Sequence, residues 1–230
     1  MDSRIAVARP QSGIPGTQSA PAPTPGLSPP GRRRRLLLAS PLIVLLPSAR
    51  AASPLAATPA QMLGPFYPLR PAAGAGNDLT TVDGKGRARG KPLAVVGRLT
   101  DTAGQPLPGV LVEIWQTNAH GRYHHPQDDS PPPLDPNFRG YGRATSGADG
   151  VYRFATIEPV AYPGRTPHVH FRLSRGAREL LVTQMYLPDA AAANARDGLF
   201  MSLRDGARRR LVGVPEPGVA DTLRFDIALD

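Results

Sequence analysis

The sequence predicts an all-β sandwich preceded by an irregular N-terminal arm. Short apolar segments alternate with a two-residue period, Gly, Pro and Asp punctuate them, and no long stretch keeps a helical period. The first segment, "LAVVGRL" (93–99), ends at "DTAGQPLPG", a turn by composition. In "VLVEIWQ" (110–116), Val110, Val112, Ile114 and Gln116 alternate with Leu111, Glu113 and Trp115. "GADG" (147–150) forms a tight turn into "VYRFATI" (151–157). Further strands are expected over 168–174, 179–187, 208–214 ("RRRLVGV") and 221–229. A weak, Ala-rich helical pattern over 189–204 is broken by Gly198. The sandwich domain therefore spans 90–230. Residues 52–89, rich in Pro, Gly and Ala around "GPFYP" (64–68), form the arm.

Residues 1–51 read differently. Seven of the chain's arginines lie there against the single acid Asp2, so the +9 formal charge of the 230 residues falls to +3 without them. The basicity belongs to a leader, and nucleic-acid binding is not expected of the domain. Residues 10–30 are a Pro/Ser/Gly/Ala tract that cannot build a core, hence a disordered preface. Arg32–Arg35, the apolar run Leu36–Leu46 and small residues around Ala49 and Ala51 follow in the order of an export signal. The run is short and interrupted by Pro41, so no stable membrane anchor is expected. Paired arginines before it point to the twin-arginine route and a periplasmic or extracellular destination. The chain has no cysteine, which excludes disulfides, thiolate metal sites and cysteine nucleophiles.

All five histidines lie between 120 and 170: His120, His124, His125, His168 and His170. On a strand, His168 and His170 share a face while Val169 and Phe171 point the other way. Two neutral imidazoles so placed can bind Zn, Cu, Ni or Fe. Tyr123 and Tyr162 lie in loops nearby in sequence. A phenol loses its proton near neutral pH only to a strongly charged metal, and a hard ion such as Fe(III) suits that donor set.

Beyond these residues, "GVLVEIWQTNAHGRYHH", "DPNFRGYGRATSGADGVYRFATIEPVAYPGRTPHVHF" and "LVTQMYL" resemble the intradiol ring-cleavage dioxygenases. The Trp-Gln-x-Asn, Gly-Arg-Tyr, Tyr-Pro and His-x-His pieces stand in that family's order across about 95–190. The resemblance implies a transthyretin-like β-sandwich core and a non-haem Fe(III) held by Tyr123, Tyr162, His168 and His170. It implies O2-dependent cleavage of a catechol-type ring between its hydroxylated carbons, giving a cis,cis-muconate. Tyr162 would leave the metal and accept a substrate proton, Arg165 would stabilise developing negative charge, and Gln184 would orient substrate or O2. Family members often assemble, so a homodimer is expected. One departure is the short segment between Tyr162 and His168, which implies a wider pocket. His120, His124 and His125 match no ligand position and are expected at the rim.

Two other readings compete. An exported transthyretin-like binding module without catalysis would explain the strands and the leader, but not the ordered Tyr/His pattern. A zinc or copper hydrolase using Asp128, Asp129 or Asp135 would need carboxylates spaced for a His-based site, and none is.

Overall fold

Alternation along the predicted segments does build two sheets. The structure, a computed structural model, describes residues 54–71, 74–82 and 86–230, together with Ala20. Its strands are β1 (Pro92–Asp101), β2 (Leu111–Trp115), β3 (Tyr141–Thr145), β4 (Val151–Ile157), β5 (His168–Arg175), β6 (Arg178–Tyr186), β7 (Val214–Pro215), β8 (Thr222–Arg224) and β9 (Ile227–Leu229). The first sheet runs β4-β1-β8-β7 with β9 also on β1, and the second runs β3-β2-β5-β6. The architecture is all-β, as the sequence predicts.

The sheets meet through their apolar faces. Val95, Leu99, Tyr152 and Phe154 from the first pack with Val112, Ile114, Val169, Phe171 and Leu173 from the second. Phe171 sits at the centre, 5.0 Å from Phe225 and 6.1 Å from Tyr152 between ring centroids. Period-2 alternation forces the opposite residues of β5, His168 and His170, onto the outer face of the second sheet. β2 does the same with Glu113 and Trp115.

Three elements differ from expectation. "RRRLVGV" is not a strand: Asp205–Arg210 forms helix α3, and only Val214–Pro215 pairs, as β7. An acid opens that helical turn, three arginines close it in favourable dipole positions, and Leu211 beyond them is fully buried. The segment 221–229 is two short strands, β8 and β9, both parallel to β1. They part around Phe225, whose carbonyl accepts from the Tyr152 hydroxyl at 2.5 Å. β3 has no strong sequence signal because Gly142 interrupts it, and that glycine is required there. A Cβ at 142 would lie 2.4 Å from Leu79 Cδ1. The weak helical stretch resolves into a 3-10 turn (Pro188–Ala190) and two single-turn helices, α1 (Ala191–Asn194) and α2 (Gly198–Met201).

The segment from residue 54 to 91 is mostly irregular and is held by hydrogen bonds to the sandwich. Thr58 N–H donates to the Ala228 carbonyl, Gln61 N–H to Val182, and Leu79 N–H to Ala155. Leu79 joins the core with no exposure. The export-signal reading falls on residues 1–51, which apart from Ala20 lie outside the described residues. Among the described residues no helix is long and apolar enough to cross a membrane.

Candidate active site

β5 is paired on both sides, with β2 and β6, so its side chains have little freedom. His170 lies opposite Trp115 on β2 and Gln184 on β6, and His168 lies opposite Tyr186. The Trp115 ring stacks on the His170 imidazole, centroids 4.7 Å apart and 8° from parallel. His168 Nδ1 meets the Thr166 carbonyl at 2.6 Å, which places its proton there and leaves Nε2 as a lone pair. That Nε2 lies 3.1 Å from His170 Nε2 and 3.3 Å from the Tyr123 hydroxyl.

The tyrosines arrive on two loops. After β2, Asn118 accepts from His120 N–H and Arg122 N–H and so folds the chain back toward Tyr123. Tyr123 N–H donates to Asp128 at 2.7 Å, and its ring packs 4.7 Å from Phe66 of "GPFYP". Tyr162 starts a turn, Tyr162-Pro163-Gly164-Arg165, closed by the Arg165 N–H to the Tyr162 carbonyl. Proline second and glycine third at φ +79° are what a type II turn requires. The Tyr162 ring lies 5.5 Å from that of Tyr123 and 5.7 Å from His168. Tyr123 is buried, whereas Tyr162 is half-exposed.

Arg165 and Gln184 also reach this corner, bonded to each other: Arg165 Nη2 donates to Gln184 Oε1 at 2.6 Å. Gln184 Nε2 donates in turn to the Met62 carbonyl. Sequence reasoning missed Asp197, whose carboxylate accepts from Arg165 Nε (2.8 Å) and Thr166 N–H (3.0 Å). The same side chain caps α2 through Leu199 N–H and Phe200 N–H. A helix-capping "DGLF" is the only local signal for it. Asp197→Asn should keep the cap but weaken the hold on Arg165. We expect turnover to fall about tenfold or more and Tm to drop as the buried ion pair is lost, checked by steady-state rates and thermal melts at temperatures where the variant is folded.

Of the remaining histidines, His124 is exposed and His120 half-buried, in keeping with a rim. His125 is not at the rim surface: it is buried and edge-on to Phe66, 5.8 Å between centroids. Gly64, in the left-handed region at φ +77°, brings the arm onto the site, since a Cβ there would lie 3.2 Å from His170 Cε1. Gly64→Ala should cost about 1–3 kcal/mol of stability, read from thermal melts.

Charge in this corner is arranged for neutral ligands. Burial, then the Arg165 charge, pulls the His168 imidazole down to a pKa of about 4. Burial, then His168 and Arg165, holds His170 well below its usual range. Burial, then Tyr162, drives the Tyr123 phenol well above 10. Two imidazole nitrogens and a phenol oxygen thus converge at hydrogen-bond distances. His170 Nδ1, buried, has no partner among the described residues. Among the described residues no cluster of three His, Cys, Asp or Glu side chains could hold a metal, so a cation here depends on the phenols. The donor set fits a hard, strongly charged cation that replaces the phenol protons.

The depressed imidazoles carry a pH prediction for metal-free protein. In the folded chain they bind a proton less readily than in the unfolded chain, so their contribution is complete above about pH 6.5. It is lost progressively as pH falls from there toward 4. Melts of metal-free protein at pH 7 and 4.5 should show the drop, and equal Tm values would refute the burial of both imidazoles.

The fold and the site define a class: an all-β sandwich whose outer face gathers two imidazoles from one strand and two phenols from flanking loops. A family model described as "Dioxygenase" matches residues 62–230. The protocatechuate 3,4-dioxygenase beta chain of Burkholderia cepacia is 43% identical over 159 residues, covering 63% of this chain and 66% of the relative. A hydroxyquinol 1,2-dioxygenase of Nocardioides simplex is 32% identical, covering 75% and 64%. The chain therefore spans just under two thirds of the length of these curated relatives. Among solved structures, the dioxygenase domain of a carbohydrate-binding fusion from Streptomyces sp. SirexAA-E matches 76% of this chain and 99% of its own, with 31% identity and a TM-score of 0.59. The chain belongs to the intradiol ring-cleavage dioxygenase family, a family of enzymes.

Proposed function

We propose that the protein is a non-haem Fe(III) dioxygenase that cleaves a catechol-type ring between its two hydroxylated carbons. The reaction uses O2 and yields a cis,cis-muconate. The convergence of His168 Nε2, His170 Nε2 and the Tyr123 hydroxyl within 3.3 Å, with Tyr162 beside them, carries this reading. Tyr123, Tyr162, His168 and His170 would hold the iron, which supplies Lewis acidity and activates the bound ring toward O2.

The residues divide the remaining work by their mobility. Tyr123, buried under Phe66, and the two strand histidines stay fixed. Tyr162, half-exposed on its Pro-Gly turn, has room to move aside, and its oxygen accepts a proton from a catechol hydroxyl. Arg165, fixed by Asp197, places a cation where negative charge develops on the substrate. Gln184 has its amide committed to Arg165 and Met62, so it acts by holding Arg165 and the arm over the site. Phe66 and Trp115 line the corner with aromatic surface and exclude water.

The relatives' names supply the substrates to try: protocatechuate, hydroxyquinol and catechol. The arginine pair and apolar run of the leader support export by the twin-arginine route as part of this proposal, to where the enzyme would meet aromatic compounds, and a homodimer is the proposed assembly. The test is a visible absorption spectrum of the purified protein before and after anaerobic catechol. A broad phenolate-to-iron band that shifts with catechol and is altered in Tyr162→Phe is expected. A colourless, iron-replete protein would overturn the four-ligand site.

A further inference from the structure

The outer face of the opposite sheet carries a second cavity. In β1, Val95 and Leu99 point into the core, so Val96 and Arg98 point outward. The register sets Val96 beside Arg153 and Arg224, and Arg98 beside Val151, on that same outer face. A cleft of about 670 Å³ opens there, walled by the start of the arm and by the α3–β7 segment, which adds Arg209 and Arg210. Five guanidinium groups thus surround a floor formed by Val96, Val151, Val212 and Val214.

Two carboxylates share the cleft and both face Arg224, with Glu216 Oε2 buried without a hydrogen bond among the described residues. Glu216 and Asp226 lie 3.7 and 3.4 Å from the Arg224 guanidinium, and Asp226 also accepts from the Arg98 N–H. Arg98, Arg153 and Arg209 are exposed, and among the described residues none of their side chains is paired with a carboxylate. The fold gains nothing from crowding these like charges. A concave surface of one sign raises the local concentration of the opposite ion.

We propose that this cleft binds a carboxylate with an apolar body, an aryl or alkyl acid. Its head would lie among Arg98, Arg153 and Arg209 and its body along the valines. A volume of this size suits a small organic ligand, and an apolar floor has no use for a bare inorganic anion. A second copy meeting face to face would set guanidinium against guanidinium. The site is separated from the candidate iron centre by the whole sandwich, so it stands whether or not the ring-cleavage reading holds.

Isothermal titration of the full iron-loaded chain tests it, with 2-naphthoate and decanoate as separate arms. The candidate active site is kept saturated with catechol under nitrogen. Binding of at least one acid, weakened about tenfold or more in Arg98→Ser/Arg153→Ser and by added salt, is expected. Which arm binds distinguishes aryl from alkyl acids. The double variant should keep the parent's Tm and turnover. The proposal fails if neither acid binds at about 1 mM, if the variant binds as well as the parent, or if decanol binds as tightly as decanoate.

Discussion

On the proposed iron site, replacing His170 by alanine is expected to give a protein that retains little iron, has a weakened visible band, and turns over catechol at least about a thousandfold more slowly. His170 is the cleaner of the two strand histidines to remove. The Nδ1 of His168 holds the Thr166 carbonyl, so His168→Ala would break a buried hydrogen bond as well as a ligand. Among the described residues the Nδ1 of His170 makes no hydrogen bond, and its ring is held by stacking on Trp115. The fold therefore survives the loss of its polar atoms, and circular dichroism should stay near that of the parent. Metal analysis beside the spectrum decides the matter. A variant that keeps full iron and an unshifted band would remove His170 from the ligand set.

Phe171→Ala, one residue along, should act in the opposite manner. Phe171 is fully buried between Tyr152 and Phe225, and truncation of such a ring costs about 3–5 kcal/mol. For a chain of this size that lowers Tm by roughly 6–20 °C. At temperatures where the variant is folded, its iron band should resemble the parent's, because the lost contacts lie on the core face. Thermal melts and spectra on the same samples test both halves. A Tm loss under about 3 °C would contradict the central place given to this ring.

The contrast between these neighbours was legible in the sequence, since alternation alone separates His168 and His170 from Val169 and Phe171. Turn chemistry was equally readable: "GADG" closes through Gly150 N–H to the Gly147 carbonyl. What escaped were features set by distant partners. β3 exists because β2 pairs with it and Leu79 needs the space over Gly142, neither of which is a local property. "RRRLVGV" has strand-forming valines, but its arginines belong to a helical end and only two residues beyond find a pairing edge. Asp197 lies 32 residues from Arg165 and contacts it only because α2 folds back over the turn. Glu113, an outward residue of β2, is nearly fully buried. It accepts from Tyr141 at 2.5 Å and Tyr67 at 2.9 Å and pairs with Arg172 at 2.8 Å, a network that strand periodicity cannot foresee.

The short turn that carries Tyr162 has a bearing on how such a protein diversifies. His168 and His170 are locked by ladders on both sides, and Tyr123 by packing. The stretch from Pro163 to Pro167 connects a loop to a strand end, and nothing lies within 4 Å of a Cβ built at Gly164, although its φ of +79° keeps that position a glycine. Insertions after Arg165 can lengthen the wall of the pocket without displacing the strand histidines. Substrate range is therefore free to drift through changes in loop length, while the two histidines of β5 stay fixed by their ladders.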